Sequence, residues 1–288
     1  MARPFPILRR ARTLLAIACE RNLLRVPRVP PRMKRAHLLL AFALIGGHSS
    51  TFAASTEVEA LLEKARARLG GDTALEAVRS VHFYGTIELS ETPGAANTPM
   101  KSAVEIIFQK PTQHRLVVTS EKSIDTTALD GYFAWRRIEP AATGARPQTI
   151  LLKKEQIKRL RANTWENLFF FRGIEGRGGE LLDGGETERD GVKCRKLSFR
   201  YGPGIDFVRY FEVATGRLVL TETQPVGIVR EEGDLLAGGV RFPKKLVTTV
   251  PAGPDGGARV ITLVFDRIAL NETFPASVFE EPLFSARR

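Results

Sequence analysis

Cysteine is nearly missing from this chain: its 288 residues hold two, Cys19 and Cys194. Cys19 falls in a leader segment, so Cys194 stands alone in the remainder. No intrachain disulfide is open to it, and the core must hold by burial alone, for which about 234 residues are ample. Histidine is almost as scarce, four in all, and beyond residue 54 only His82 and His114 remain. Two scattered histidines and one thiol make a poor zinc set, and no H-E-x-x-H is present. The G-x-S-x-G turn of serine hydrolases and the G-x-x-x-x-G-K-[ST] phosphate loop are also absent. Gly173, Gly176, Gly178 and Gly179 follow a helical segment rather than opening one, the wrong context for a phosphate site. Acidic pairs such as Glu231-Glu232 and Glu280-Glu281 read as solvated surface charge. Cys194, within Val192-Lys193-Cys194-Arg195-Lys196, reads as a small strand residue, and both histidines read as polar strand residues. A catalytic inventory is therefore lacking, and no metal or cofactor is implied.

Long apolar runs are absent too. The most apolar stretch, Leu38–Ile45, is far short of the ~20 residues of a membrane span. It follows Lys34 and Arg35 and leads into the small, polar segment from Gly46 to Ala54. That order is a bacterial export signal, with Thr51 and Ala53 suiting the −3 and −1 positions of a cleavage site after Ala53. Residues 1–32, rich in Arg and Pro, read as lying upstream of a start at Met33 or as an extended basic n-region. A lipoprotein box at Cys19 lacks a sufficient apolar run before it. The leader also carries most of the charge. Residues 1–54 hold ten Lys/Arg against Glu20 alone, so of the chain's formal +11 only about +2 belongs to the rest. The basic balance is no sign of nucleic-acid binding.

What is abundant is alternation. In Val81–Ser90, the residues Val81, Phe83, Gly85, Ile87 and Leu89 share one face and His82, Tyr84, Thr86, Glu88 and Ser90 the other. The same period of two runs through 103–110, 115–119, 131–138, 192–201, 207–213, 217–223, 227–232, 244–250 and 259–270. Turn signals at Asp130-Gly131, Asp190-Gly191 and Ala214-Thr215-Gly216 separate several of these runs. This is the pattern of antiparallel strands with one wet face. Two helices precede them. Val58, Leu61, Leu62, Ala65 and Leu69 form a helical stripe ended by Gly70-Gly71, and Asp72 caps a second helix to about Arg79.

One segment departs from the β rhythm. Gln148–Arg172 lacks Gly and Pro and spaces its apolar residues helically, predicting one helix, or two broken near Asn163-Thr164. Its Trp165–Phe171 cluster is more apolar than one buried stripe requires. Such a helix either plugs the core or closes an apolar pocket. A curved sheet with a Val, Ile, Leu and Phe face needs helices or a ligand to cover it, at roughly 25 cal/mol per Å² of apolar area.

Several segments resemble periplasmic proteins of the outer-membrane lipoprotein-sorting, lipoprotein-carrier type. They are Leu69-Gly70-Gly71, the run Ala74–Ser80 into the first strand, and Asp130-Gly131-Tyr132-Phe133-Ala134-Trp135. The closing Phe265–Asn271 and Pro275–Pro282 add to them. The resemblance implies an α+β fold over residues 54–288. It would be a strongly curved antiparallel sheet, an unclosed β-barrel of about ten strands, with helices covering the concave face. It further implies non-catalytic binding and transfer of a lipid or lipoprotein acyl chain in the periplasm, with delivery and receiving partners at the inner and outer membranes. No nucleic acid and no membrane span in the exported chain are expected. The alternative is an envelope protein-binding sensor or scaffold of the same fold whose cavity its own helices fill. The strand residues expected to line the cavity are Phe83, Val104, Ile106, Phe108, Leu116, Val118 and Trp135. The lid residues are Trp165, Leu168, Phe169 and Phe171. The lipoprotein carrier holds its lid shut with an arginine in the barrel strands, and no arginine here is singled out for that role by the sequence.

N-terminal sequencing of the exported protein is expected to begin at Ala54, or within a residue or two. A cytoplasmic product that keeps Met33 would contradict the export reading.

Overall fold

The computed structural model describes residues 56–91, 100–142, 144–223, 227–252 and 257–282. The leader over residues 1–53 and the cleavage after Ala53 lie outside the described residues. Helix α1 (Thr56–Leu69) buries the expected stripe of Val58, Leu61, Leu62 and Ala65. Glu57 and Glu59 in its first turn and Arg66 and Arg68 in its last suit the helix dipole. Gly70, at φ 132°, ends it in close approach to the sheet, for a Cβ there would stand 2.3 Å from the Gly239 carbonyl oxygen. Helix α2 spans only Asp72–Glu76, with Gly71 at the N-cap. Asp72 does not cap it, because its carboxylate is taken by Arg66 at 2.6 Å and by Arg172.

Thirteen strands follow in one antiparallel sheet. The first six are β1 (Ser80–Glu91), β2 (Met100–Gln109), β3 (Gln113–Thr119), β4 (Ser123–Asp130), β5 (Phe133–Pro140) and β6 (Gln148–Leu151). Helix α3 (Lys154–Leu168) separates them from β7 (Glu180–Arg189), β8 (Val192–Arg200), β9 (Asp206–Glu212) and β10 (Leu218–Thr223). The chain closes with β11 (Gly227–Ala237), β12 (Val240–Val250) and β13 (Arg259–Leu270). The spatial order runs from β6 through β5, β4, β3 and β2 to β1, then β13, and back through β12 to β7. Two meanders thus meet at the centre, where β1 pairs β13 from Val81↔Leu270 to Glu91↔Arg259. A bulge at Tyr84/Gly85 bends this seam. Only glycine fits there, since a Cβ on Gly85 would lie 2.0 Å from the Val264 oxygen. Strands β6 and β7 are the two edges, so the sheet is unclosed.

Register decides what faces inward. Phe83, Ile106 and Leu116 align across β1, β2 and β3, as do Val81, Phe108, His114 and Leu129 from β1 to β4. On the other meander Leu263, Leu246 and Glu231 align, and so do Val229, Thr221 and Arg209. Helix α1 packs on this face against Leu197, Phe199 and Phe211. Leu168, at the end of α3, packs with Phe83, Phe108 and Phe265. The opposite face is not uniformly wet. His82, Ile107, Ala128 and Trp135 are buried in a row that the half-buried Arg115 interrupts between Ile107 and Ala128, and the C-terminal segment covers its Trp135 end. There the Trp135 indole N–H donates to the Phe279 carbonyl at 2.9 Å. The His82 ring nitrogens lie 2.9 Å from Glu105 and 2.5 Å from Glu272.

The structure also differs from the sequence reading in the number of strands and in the segment 148–172. The strand number is thirteen, not about ten. Strand β4 was hidden because Asp125, Thr126 and Thr127 interrupt its alternation; Asp125 is neutralised by Arg136 at 2.5 Å on the same face. Edge strand β7 carries Gly184-Gly185 and few apolar residues. The segment 148–172 is not one helix, since Gln148–Leu151 pairs with β5 and α3 begins only at Lys154. No break occurs at Asn163-Thr164, where the Thr164 hydroxyl donates to the Leu160 carbonyl within a continuous helix.

His114 yields a test of the core. It is buried, stacked 4.8 Å from the Phe108 ring, and its Nδ1 has no hydrogen-bond partner. Burial lowers its pKa from 6.5 to about 4. Between those values the unfolded chain binds the proton and the folded chain does not. The stability gained by burying the neutral ring is therefore full above pH 6.5 and lost as pH falls toward 4. Two and a half pH units amount to on the order of 3 kcal/mol. Replacing His114 by Leu is expected to flatten the stability profile in that window, read as the difference between variant and parent denaturation midpoints. Parallel profiles would contradict a buried neutral imidazole.

Candidate functional site: an interior cavity between the sheet and helix α3

Three sets of elements leave a space between them that none fills. It has a volume of about 570 Å³ and is walled by α1, α3, β1, β2 and the run of strands from β9 to β13. Strands at distant positions in the sheet order share it, so the sheet bends around it. Its apolar wall includes Phe83, Phe108, Phe207, Leu246, Leu263 and Phe265.

Helix α3 lies over β2, β3 and β4 and is fastened at both ends. At its start the Gln156 side chain accepts from the Lys153 backbone N–H at 2.7 Å. At its end Phe170 and Phe171 adopt left-handed backbone angles, φ 48° and 69°, a conformation that costs a bulky residue energy. Arg66 of α1 holds this turn by donating to the Phe170 carbonyl at 2.7 Å. The turn sends the two rings into different cores, Phe170 toward Phe242 and Phe171 toward Phe199 and Phe211.

The middle of α3 is tied to the sheet by charge. Glu166 forms an ion pair with Arg209 of β9, and both side chains are more than nine-tenths buried. The Arg209 guanidinium sits among three rings, at 4.7 Å from Phe199, 5.0 Å from Phe171 and 5.7 Å from Phe207. The Tyr201 hydroxyl donates to the other Glu166 oxygen. Burial and the Glu166 charge push the Tyr201 pKa well up, so it remains a donor. Breaking one member of such a buried pair costs about 3–5 kcal/mol, because the other charge is stranded.

Of the residues expected from the sequence to form the site, Phe83, Ile106, Phe108 and Phe171 line this cavity. Val104, Leu116 and Val118 share the inner face of β2 and β3 but do not line it. Leu168 and Phe169 belong to a smaller pocket of about 240 Å³ with Leu75 and Lys110. Phe169 is covered there by the Lys110 ammonium at 5.1 Å and the Arg177 guanidinium at 4.0 Å. The Trp165 N–H donates to Thr112 at 3.0 Å, and its ring meets Tyr201 at 5.6 Å. Trp135 is on the opposite face of the sheet, so it does not join them.

Sequence reasoning missed the polar groups. Arg209 interrupts the inward series Phe207, Arg209, Phe211, and Glu231 follows Val229 on the inward face of β11. A charge at an inward position of an alternating strand was the available signal. Glu231 is solvent-exposed, as its sequence context implies, and it also borders the cavity.

Among the described residues no cluster of three potential metal ligands is found. Cys194 is buried on the outer face beside Tyr210 and Leu220, and burial raises its thiol pKa, the reverse of nucleophile activation. No helix among the described residues is long and apolar enough to cross a membrane.

Comparison of the sequence with family models and with curated proteins finds no match. Comparison of the fold with solved structures does. A LolA-superfamily protein from Nitrosomonas europaea aligns with a TM-score of 0.51 at 12% identity, over 77% of this chain and 97% of its own. A DUF1329-family protein from Desulfovibrio piger aligns with a TM-score of 0.49 at 10% identity, over 78% of this chain and 97% of its own. The resemblance to lipoprotein-sorting proteins read from the sequence thus holds at the level of fold: this chain is built on the same plan as the LolA-superfamily protein.

Proposed function

We propose that this protein binds a lipid-like ligand, the acyl chain of a lipid or lipoprotein, in the cavity under α3 and carries it through the periplasm without catalysing a reaction. The observation behind this reading is the cavity itself. Its volume, about 570 Å³, is that of a small-molecule site, and its wall is rich in Phe and Leu side chains that the protein's own helices leave uncovered. An acyl chain displaces water from that wall at a gain of roughly 25 cal/mol per Å². The export signal in the sequence supports the compartment, and the fold of the LolA-superfamily protein supports the class. In this reading α3 is the lid, Arg209 and Glu166 are its latch, and the glycines from Gly173 to Gly179 give the connection its freedom. Membrane-bound donors and acceptors would load and unload it.

A sensor or scaffold of the same fold is the second reading. It draws on Phe170 and Phe171, which already fill part of the inner face.

Fluorescence titration with an uncharged pyrene-labelled alkyl probe separates the two. The exported protein is expected to take up the probe saturably. Replacing Leu246 by Trp fills a void rather than crowding a packed core, so it should weaken uptake by about tenfold or more with little change in thermal unfolding. Absence of saturable uptake by the parent protein would favour the scaffold.

The latch has its own test. Arg209→Met alone is expected to destabilise by about 3–5 kcal/mol, whereas Arg209→Met with Glu166→Met should recover most of that loss. In stopped-flow measurements the double variant should exchange the probe faster than the parent. Equal exchange rates would mean that α3 is not a gate.

A further inference from the structure

The exposed apolar side chains of this protein are not scattered. Of seven large ones exposed among the described residues, four meet at one corner of the sheet: Tyr132, Phe133, Ile150 and Leu151. Tyr132, in the turn between β4 and β5, is 77% exposed, and Leu151, on the edge strand β6, is 59% exposed. The register brings them together. Leu151 stands opposite Trp135, two residues from Phe133, and the Leu152 backbone N–H donates to the Ala134 carbonyl at 2.9 Å. Helix α3 starts beside this corner and supplies cations. Lys154, Lys158 and Arg161 recur at i, i+4 and i+7, so they share one side of the helix. The Arg161 guanidinium lies 3.7 Å from the centre of the Tyr132 ring, which turns that side toward the corner. Residues 146–161 hold six Lys or Arg against Glu155 alone, a net +5, whereas the chain beyond the leader carries only about +2. Arg146, Lys153 and Lys154 are exposed and form no ion pair among the described residues. The acids at this corner are already engaged: Glu155 pairs with Lys158 at 3.3 Å, and the half-buried Asp130 accepts from Gln113 at 3.1 Å. Glu280 and Glu281 follow Phe279, which covers Trp135 on the side of the sheet opposite α3.

We infer that this corner docks the protein on the surface of a bilayer with anionic headgroups. Exposed aromatic and aliphatic side chains enter the headgroup layer, while Lys and Arg beside them lay their stems along it and reach the lipid phosphates. An apolar patch rimmed by unpaired cations carries both halves of that interaction. A partner protein adding a strand to the sheet fits less well. Strand β6 has four residues and follows Pro147, so its edge offers another backbone little to pair with. The docking surface stands on these exposed residues and does not rest on what the cavity holds. On the reading of α3 as a lid, docking sets the start of the lid against the lipid.

The experiment is co-sedimentation of the exported protein with vesicles of phosphatidylcholine, alone or with about a third phosphatidylglycerol. The parent is expected to bind the anionic vesicles about tenfold or more tightly than the neutral ones. Salt at about 1 M, where the Debye length is about 3 Å, should remove most of that difference. Lys153→Gln with Lys154→Gln should weaken binding to anionic vesicles by about tenfold or more, at roughly fivefold for each cation near the surface. Tyr132→Ser with Leu151→Ser should also weaken it, at unchanged charge, because the apolar contact is lost. All four side chains are exposed, so thermal unfolding of both double variants should stay near that of the parent. Leu246→Trp, which fills the cavity, should leave docking unchanged. Equal binding to neutral and anionic vesicles, or binding that either double variant leaves unchanged, would overturn the inference. Loss of vesicle binding in Leu246→Trp would overturn it too, while supporting the cavity reading, since the protein would then touch lipid only by taking it up. Binding to native envelope membranes that protease treatment of the membranes destroys, with none to vesicles, would assign the corner to a protein partner instead.

Discussion

The pairing of β1 with β13 is the contact on which everything else rests. It joins residues 81 and 270, at opposite ends of the described chain, and turns two separate meanders into one sheet. Such long-range pairing is entropically costly to form, so it depends on the burial it brings about. The seam carries that burial, for Val81, Phe83 and Phe265 are all within the core beside it. The bulge at Gly85 bends the sheet at this line, and the bend brings β2 and β9 to opposite sides of one cavity. Without the seam neither meander has a partner to face.

A sheet bent in this way has more inner surface than its helices cover. Helix α1 closes the end over β8 and β9, and α3 closes the end over β2, β3 and β4. The stretch between them, from β9 to β13, keeps an open wall. The two helices are not held alike. Helix α1 is seated by a broad apolar stripe. Only three apolar or small residues of α3, Ala162, Thr164 and Leu168, are fully buried, and its remaining ties are polar: the Glu166 pair, the Trp165 N–H and the Arg66 clamp on its final turn. Polar ties inside a low-dielectric space are strong while made and can be exchanged for others, which suits a helix that opens.

The strand and helix stripes were legible because period two and period 3.6 leave separate marks. Val81–Leu89 and Val58–Leu69 appear in the structure as read. What escaped were elements whose inward residues are polar. Strand β4 hides behind the Asp125–Arg136 pair, and β7 is an edge with little to bury. The strand Gln148–Leu151 was absorbed into the helix because four residues are too few to show a period, and its pairing with β5 is a tertiary fact. The cavity was anticipated as a surplus of apolar surface, but its composition was not. Phe83, Ile106, Phe108 and Phe171 could be named from alternation and clustering. Arg209 was not named, although its inward place in the series Phe207, Arg209, Phe211 is the mark that sets it apart from a solvated charge. Trp135 fails for the same reason in reverse: its neighbours place it outward, and the C-terminal segment that covers it is remote in sequence.

The central claim is that the cavity holds a lipid in the working protein. Native mass spectrometry of the exported protein, released gently from the cell envelope, tests it most directly, with solvent extraction of the same sample to identify any bound species. The account predicts an adduct of one lipid per chain, lost in the Leu246→Trp variant. A chain that carries no lipid as isolated, and takes none up from lipid vesicles, would contradict it.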